Sequence, residues 1–189
     1  MTAQALQLTP SQTVGPYFSI GMTWPDGAFV VPEGTPGAFW IRGRVLDGEG
    51  APVPDAVVES WQADPEGRYH HPDDPRHPTA GDWRGFARAP TDADGEFAIH
   101  TVKPGPVPGA DGATQAPHLA LSVFARGLLN RVVARLYFAD EAERNAADPV
   151  LAGVPEARRR TLIAQADGAG GYRLDIRLQG EDETVFFAV

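Results

Sequence analysis

The stretch FWIRGRVLDGEGAPVPDAVVESWQAD, residues 39–64, decides the fold. Apolar and polar residues alternate from Phe39, a turn follows at residues 47–50, and a second apolar run passes through Val57 and Trp61. Alternation with a period of two is typical of a strand with one buried face, and Asp-Gly pairs favour tight turns. The stretch therefore predicts a β-hairpin.

The same device recurs along the chain. Further strand patterns are TDADGEFAIHTVKPG (91–105), HLALSVFAR (118–126), RVVARLYF (131–138) and GYRLDIRLQG (171–180). Two segments have helical character, DEAERNAA (140–147) and PEARRRTLIAQA (155–166). Many short strands between Gly and Pro turns predict a mostly β protein, an antiparallel two-sheet β-sandwich of the prealbumin-like type with one or two short helices.

The first 35 residues and the rest of the chain differ in composition and in the periodicity of their apolar residues. Residues 1–35 are rich in Pro and Gly and show no periodicity, which is typical of an N-terminal arm that must pack on something to become ordered. Residues 36–189 carry all the strand patterns and are long enough for one sandwich domain. We expect the arm to pack on a partner subunit.

Composition limits the classes of partner. The chain has 189 residues, a formal net charge of −9 and no cysteine. An acidic chain without clustered Lys and Arg argues against nucleic acid, although one local arginine can still bind a small anion. The sequence shows no apolar run of membrane-spanning length and no secretory leader, so the expectation is a cytoplasmic protein with no membrane contact.

Several motifs together identify a family. They are TPSQTVGPYF (9–18), VESWQADPEGRY (58–69), PHLALSVFARG (117–127) and YRLDIRLQGEDETVFF (172–187). With these motifs the chain resembles the intradiol ring-cleavage dioxygenases over nearly its whole length. That resemblance implies a non-haem Fe(III) ion held in the family by two tyrosines and two histidines, ligands whose lone pairs suit a hard, highly charged ion.

The resemblance also places the four ligand positions. Tyr69 in GRYHH matches the first tyrosine and His118 the first histidine, whereas Val107 in PGPVP and Ala120 stand where the second tyrosine and second histidine are expected. Residues two apart on a strand share a face, but a methyl group coordinates nothing. These are therefore vestigial ligand positions, this chain is expected to bind no metal, and Gln115 stands in place of a hydrogen-bonding arginine of the family.

A second set of residues is implied by the family's heteromeric members. There the alpha chain approaches the iron pocket of a beta subunit through an N-terminal segment and an arginine in the sequence FARG. Carried over, Thr13, Gly15, Pro16 and Tyr17 line the pocket at the interface and Arg126 binds substrate. A guanidinium suits a carboxylate, and Gly and Pro suit a stiff segment in close approach to a ligand. From the residues alone, Gly15 and Pro16 could equally form a turn, and Arg126 could be a surface cation.

The implied function is that of a non-metal-binding alpha subunit. With a beta subunit that holds Fe(III), it would complete a pocket in which 3,4-dihydroxybenzoate, a small aromatic carboxylate, is cleaved by O2 to 3-carboxy-cis,cis-muconate. A higher-order assembly of alpha-beta pairs is expected. The alternatives are a stand-alone β-sandwich module that binds a small molecule without catalysis, and a self-sufficient dioxygenase.

One further cluster remains without an assigned role. HHPDDPRH (70–77) contains His70, His71 and His77, whose side chains suit metals, but prolines break the spacing and fix no geometry. A solvated loop is the simpler interpretation.

Overall fold

The computed structural model describes residues 8–15, 17–76, 83–109 and 112–188, and it is mostly β with few short helices. The strands are β1 Phe39–Leu46, β2 Val57–Trp61, β3 Phe86–Pro90, β4 Glu96–Thr101, β5 Val107–Pro108, β6 Thr114–Gln115, β7 His118–Phe124, β8 Val132–Phe138, β9 Ile163–Ala166, β10 Tyr172–Arg173 and β11 Ile176–Arg177. The α-helices are α1 Tyr17–Gly21, α2 Ala142–Ala147, α3 Pro149–Ala152 and α4 Glu156–Arg159, and single 3₁₀ turns cover Ala139–Glu141 and Arg160–Leu162.

The strand pairing is mixed rather than antiparallel. A nine-stranded sheet contains the path β11-β1-β10-β9-β8-β7-β2-β3 and, as its ninth strand, β4, which pairs with β1 off that path; β5 pairs with β6 separately. Three pairs in that path, β1 with β10, β1 with β11 and β8 with β9, are parallel. The prediction of a purely antiparallel arrangement was wrong, because alternating residues indicate a buried face but carry no information on strand direction.

The predicted β1–β2 hairpin was also wrong. The turn itself forms, since the backbone N–H groups of Glu49 and Ala51 both donate to Asp47 Oδ1 at 2.9 Å. The chain pairs back only briefly, through Val53 N–H to the carbonyl of Val45 at 2.9 Å. Prolines 52 and 54 then interrupt the ladder, because they lack the N–H that a continuing strand needs, and β2 instead pairs with β3 and β7.

The helices differ from the prediction in number and extent. The described residues contain four short α-helices rather than one or two, because one- to two-turn segments have too few residues to show a helical period. The helix expected over 155–166 ends in the 3₁₀ turn at Leu162, after which Ile163–Ala166 form β9 beside β8. Short apolar runs fit either structure, and pairing with a neighbouring strand decides.

The side chains of β7 alternate between the hydrophobic core and the opposite face of the sheet. Leu119, Leu121 and Val123 are at most 1% exposed and belong to the hydrophobic core, which also takes residues from β1, β4 and β8. The opposite face of β7 carries His118 and Ala120. The β7 alternation read from the sequence is confirmed, and it sets which side chains can meet outside the core.

The N-terminal segment touches its own chain at several points. Phe18 packs on Phe124 with ring centroids 5.1 Å apart, and Val30 is buried in the core. Ser11 Oγ donates to Asn130 Oδ1 at 3.3 Å. Tyr17 and Ile20 remain 79% and 72% exposed, so their apolar surface is not covered by the described part of this chain.

Asp148 joins β6, β7 and β8 to the helices. Its fully buried carboxylate accepts hydrogen bonds from the N–H groups of Ala116, Val150 and Leu151 and from the hydroxyl of Tyr137. The carboxylate thus caps α3 and fixes the start of β7.

Replacing Asp148 with alanine should lower the free energy of unfolding by about 3–5 kcal/mol, because it leaves several buried donors without an acceptor. Urea denaturation of the two proteins measures the difference. Asp94→Ala, an exposed aspartate whose side chain accepts no hydrogen bond among the described residues, is the control and should change stability by less than about 0.5 kcal/mol. Equal effects of the two substitutions would contradict this role of Asp148.

Candidate functional site

The strand register aligns the residues outside the core. Trp61 of β2 lies opposite Ala120 of β7, and Ala120 lies opposite Arg135 of β8. Two residues earlier on β7, His118 lies opposite Tyr137 of β8. Because residues two apart share a face, these five side chains project from the same side of the sheet.

His118 is held as an oriented, neutral imidazole. It is 5% exposed, and its Nδ1 lies 2.7 Å from the carbonyl oxygen of Ala116. A carbonyl only accepts, so Nδ1 carries the proton and Nε2 keeps its lone pair. Burial and, next, the positive charge of Arg135 lower the pKa of His118 to about 4.

Tyr69 stacks on the same face. Its ring lies nearly parallel to that of Trp61, with centroids 6.2 Å apart and an interplanar angle of 3°. Burial raises the pKa of Tyr69, while the charge of Arg135 opposes the shift. The hydroxyl is therefore protonated near neutral pH.

A tight loop brings Tyr69 towards Val107. Asp64 Oδ1 accepts from the N–H groups of Glu66 and Arg68 at 3.0 and 2.8 Å. Gly67 follows with φ of 76°, and a Cβ built there would lie 2.1 Å from the carbonyl oxygen of Pro106. Only glycine permits this close approach, so the loop that carries Tyr69 sits directly against the segment that leads into β5.

The donor set does not fit a ferric ion. Val107 is 4% exposed and apolar, and Ala120 presents a methyl group, so of the four positions that the family resemblance implies only Tyr69 and His118 carry lone pairs. Two protein donors do not meet the ligand count of such a site. Within the described ranges, no cluster of three or more His, Cys, Asp and Glu side chains is arranged for a metal.

Sequence reasoning missed Arg135. Its Nη1 donates to Gln115 Oε1 at 2.6 Å and to Tyr137 Oη at 3.3 Å. The Tyr137 hydroxyl in turn donates to Asp148 Oδ1 at 3.2 Å, and burial raises the pKa of Tyr137 to about 12. The available signal was a cation inside the otherwise apolar run VVARLYF (132–138), on the face that Tyr137 shares.

Arg126 and the N-terminal segment meet at the other end of β7. The N–H of Gly127 donates to Thr13 Oγ1 at 2.8 Å, and Gly15 accepts from the N–H of Phe18 at 3.0 Å. Arg126 forms an ion pair with Asp55 and keeps 60% of its side chain exposed. Pro16 lies outside the described residues.

The two residue sets are separate on this chain. His118 begins β7 and Arg126 follows its end, so a strand rise of about 3.3 Å per residue places them more than about 20 Å apart. Arg126 therefore cannot serve a ligand bound at the four ligand positions of the same chain.

The loop that contains His70 and His71 is held by hydrogen bonds to nearby backbone groups. His70 Nδ1 lies 2.5 Å from the carbonyl oxygen of Trp83, and the N–H of Asp73 donates to His71 Nδ1 at 3.2 Å. Asp74 accepts from the N–H groups of Tyr69 and Arg76, and these bonds lower the pKa of Asp74 to about 2. His77 lies outside the described residues, and the loop's role stays open.

A family model described as Dioxygenase matches residues 14–180. The chain belongs to the intradiol dioxygenase family. It is 42% identical to a protocatechuate 3,4-dioxygenase alpha chain from Burkholderia cepacia, over 97% of this chain and 98% of that protein. It is 37% identical to the beta chain from the same organism, over 76% of this chain and 65% of that protein.

Solved structures agree on the fold. The dioxygenase domain of a carbohydrate-binding fusion protein from Streptomyces sp. SirexAA-E matches with a TM-score of 0.58 and 24% identity, over 92% of this chain and 99% of that chain. At that identity the likeness concerns the fold alone.

No helix in the described part of this family member combines the length and the apolar character required to span a bilayer.

The low pKa of His118 makes stability depend on pH. Between the ordinary value of 6.5 and about 4, the unfolded chain binds a proton at this residue that the folded chain does not. The contribution is complete above pH 6.5 and is lost as the pH falls towards 4.

His118→Gln should therefore flatten the acid side of the stability curve. From pH 7 to pH 4.5, the wild type should lose about 2–3 kcal/mol more unfolding free energy than the variant in urea titrations. His71→Gln, a substitution at an exposed histidine, serves as the control and should follow the wild-type curve. A wild-type slope in His118→Gln would contradict the buried neutral imidazole.

Proposed function

We propose that this chain is the iron-free alpha component of a heteromeric intradiol dioxygenase that cleaves 3,4-dihydroxybenzoate with O2 to 3-carboxy-cis,cis-muconate. The observation that carries the proposal is the donor set, because Val107 and Ala120 replace two of the four ligands in a chain that otherwise keeps the family's fold. Near full-length similarity to an alpha chain supports the same assignment.

In this proposal a beta subunit holds Fe(III). The family depends on non-haem iron, and a chain with two donors needs a companion to supply the rest of the chemistry. The catecholate would chelate a ferric ion bound there, and the chemistry supplied by the ion would be activation of the substrate towards O2. Similarity to a beta chain supports a companion of the same family.

This chain's own contribution is to bind and enclose the substrate. Arg126 offers a guanidinium with 60% of its side chain exposed, suited to a charge-assisted bond with the carboxylate of an aromatic acid. Thr13, through its bond with the N–H of Gly127, holds the N-terminal segment beside that arginine. Gly15, Pro16 and Tyr17 would then close the pocket and exclude water.

Exposed apolar side chains support an interface at the same end. Leu8, Tyr17, Ile20 and Leu129 are between 60% and 95% exposed, an unusual amount of large apolar surface to leave in water. Covering it with a beta subunit would bury that surface, and alpha-beta pairs of this kind could multiply into a closed higher-order assembly.

The proposal also includes two-sheet packing of the prealbumin-like type and a cytoplasmic location, which suits a chain without cysteine.

The test is co-expression with a beta chain, followed by oxygen uptake on 3,4-dihydroxybenzoate. Arg126→Ala should lower kcat/KM by about 10- to 100-fold, mainly through KM, because a hydrogen bond to a charged carboxylate is lost. With catechol, which has no carboxylate, wild type and variant should differ little.

Arg160→Ala is the matched control. Arg160 is also paired to one aspartate and has a similarly exposed side chain, at 62%, so its replacement should leave the kinetics unchanged. If Arg126→Ala alters neither kcat nor KM, the substrate-binding role fails. A folded chain that never associates with a beta chain would favour the stand-alone binding module instead.

A further inference from the structure

Asp55 faces Arg126 where β2 begins and β7 ends. Val57, the first residue of β2, pairs with Phe124, the last residue of β7, in an antiparallel ladder. Because the ladder is antiparallel, extending its register by two residues sets Asp55 directly opposite Arg126. The Asp55 carboxylate accepts a hydrogen bond there from Nε of Arg126. The pairing of β2 with β7 therefore brings these two side chains together.

The two members of this ion pair are anchored to different degrees. Ala56, next to Asp55, is fully buried; its N–H donates to Thr91 Oγ1 at 3.0 Å, and its carbonyl accepts from the N–H of Thr91 at 2.9 Å. The Asp55 side chain is 20% exposed, whereas that of Arg126 is 60% exposed and belongs to a turn with Gly127. Asp55 is thus the fixed member, and it restricts the conformations of the longer arginine side chain.

The contact with Asp55 leaves the outer edge of the guanidinium available. A guanidinium has five N–H donors, and Asp55 occupies the one on Nε. Within the described part of the chain, Nη1 and Nη2 of Arg126 make no hydrogen bond. These two nitrogens form a planar fork that matches both oxygens of a carboxylate. The ion pair therefore presents a carboxylate-binding edge in a set orientation.

Two roles of Asp55 would have opposite effects on substrate binding. If it competes with the substrate for Arg126, removing its carboxylate should strengthen binding, because the guanidinium loses a competing partner. If it orients Arg126, removal should weaken binding, because an exposed, flexible side chain must then be ordered each time a substrate binds. The contact at Nε, away from the fork, favours orientation.

We propose that Asp55 is a positioning residue for substrate binding, which holds the guanidinium of Arg126 so that Nη1 and Nη2 face the carboxylate of the aromatic acid. The inference rests on the proposed function of this chain in a heteromeric dioxygenase. It also adds a source of specificity, because the oriented fork contributes only to substrates that carry a carboxylate.

The test uses the full chain in complex with a beta chain. Asp55→Ala should raise KM for 3,4-dihydroxybenzoate about three- to tenfold and leave kcat within about twofold, because an ordering cost is added to binding. Asp55→Asn keeps an acceptor oxygen in place and should recover most of the wild-type affinity. With catechol, all three proteins should have the same kinetics, which also reports an assembled complex. Anaerobic titration calorimetry with 3,4-dihydroxybenzoate measures the same shift as a Kd, without turnover.

Asp26→Ala is the matched control. Asp26 also pairs with one arginine, Arg84, at 2.8 Å. Arg84 lies two residues before Phe86, the β3 residue that pairs with Trp61 at the far end of β2. This ion pair is therefore at the opposite end of β2 from Asp55, and its loss should leave KM and Kd for 3,4-dihydroxybenzoate unchanged.

A double substitution separates this inference from the proposed function. If Asp55 acts through Arg126, Asp55→Ala should add nothing to the KM of Arg126→Ala. The inference alone is overturned if Arg126→Ala raises KM while Asp55→Ala leaves it unchanged, lowers it, raises it equally for catechol, or raises it further in the double variant. It is also overturned if Asp55→Asn behaves like Asp55→Ala. If neither Arg126→Ala nor Asp55→Ala changes KM or kcat, the substrate-binding role of Arg126 fails as well.

Discussion

The register of β7 between β2 and β8 is the constraint on which the site depends. It places Trp61, Ala120 and Arg135 in one row across three strands, with His118 and Tyr137 in the next. A shift of β7 by one residue would turn His118 and Ala120 into the core and bring Leu119 and Leu121 out. Burial of those leucines therefore fixes the register, and the register fixes which chemical groups meet outside the core.

The two ends of β7 carry different parts of the chemistry. Near its start, Tyr69 and His118 carry lone pairs, whereas Val107 and Ala120 are apolar, and Arg135 lies beside Ala120. This set of side chains does not suit a ferric ion. Beyond its end lies an exposed arginine beside an N-terminal segment pinned through Thr13. Because the length of β7 separates them, one chain cannot use both for one substrate.

Sequence patterns predicted the features that depend on a few neighbouring residues. The β-rich class and the alternation in β7 could both be read from the residues, whereas the four ligand positions came from the family resemblance and stay a prediction. The β1–β2 hairpin failed because two prolines turn the chain onto a different partner, and β9 was missed because Leu162 and Ile163 fit either a helix or a strand. The cation in an apolar run was visible in the sequence, but the contacts of Arg135 with Gln115 of β6 and Ala120 of β7 were not, because they depend on strand pairing between distant segments.

In the proposed assembly this polypeptide holds no iron by itself. The iron content and visible spectrum of the full chain purified alone, compared with those of the same chain co-purified with a beta subunit, test this. We expect a colourless preparation with less than about 0.1 iron per chain in the first case and a coloured, iron-containing complex in the second. A coloured preparation that cleaves 3,4-dihydroxybenzoate without any companion chain would contradict it.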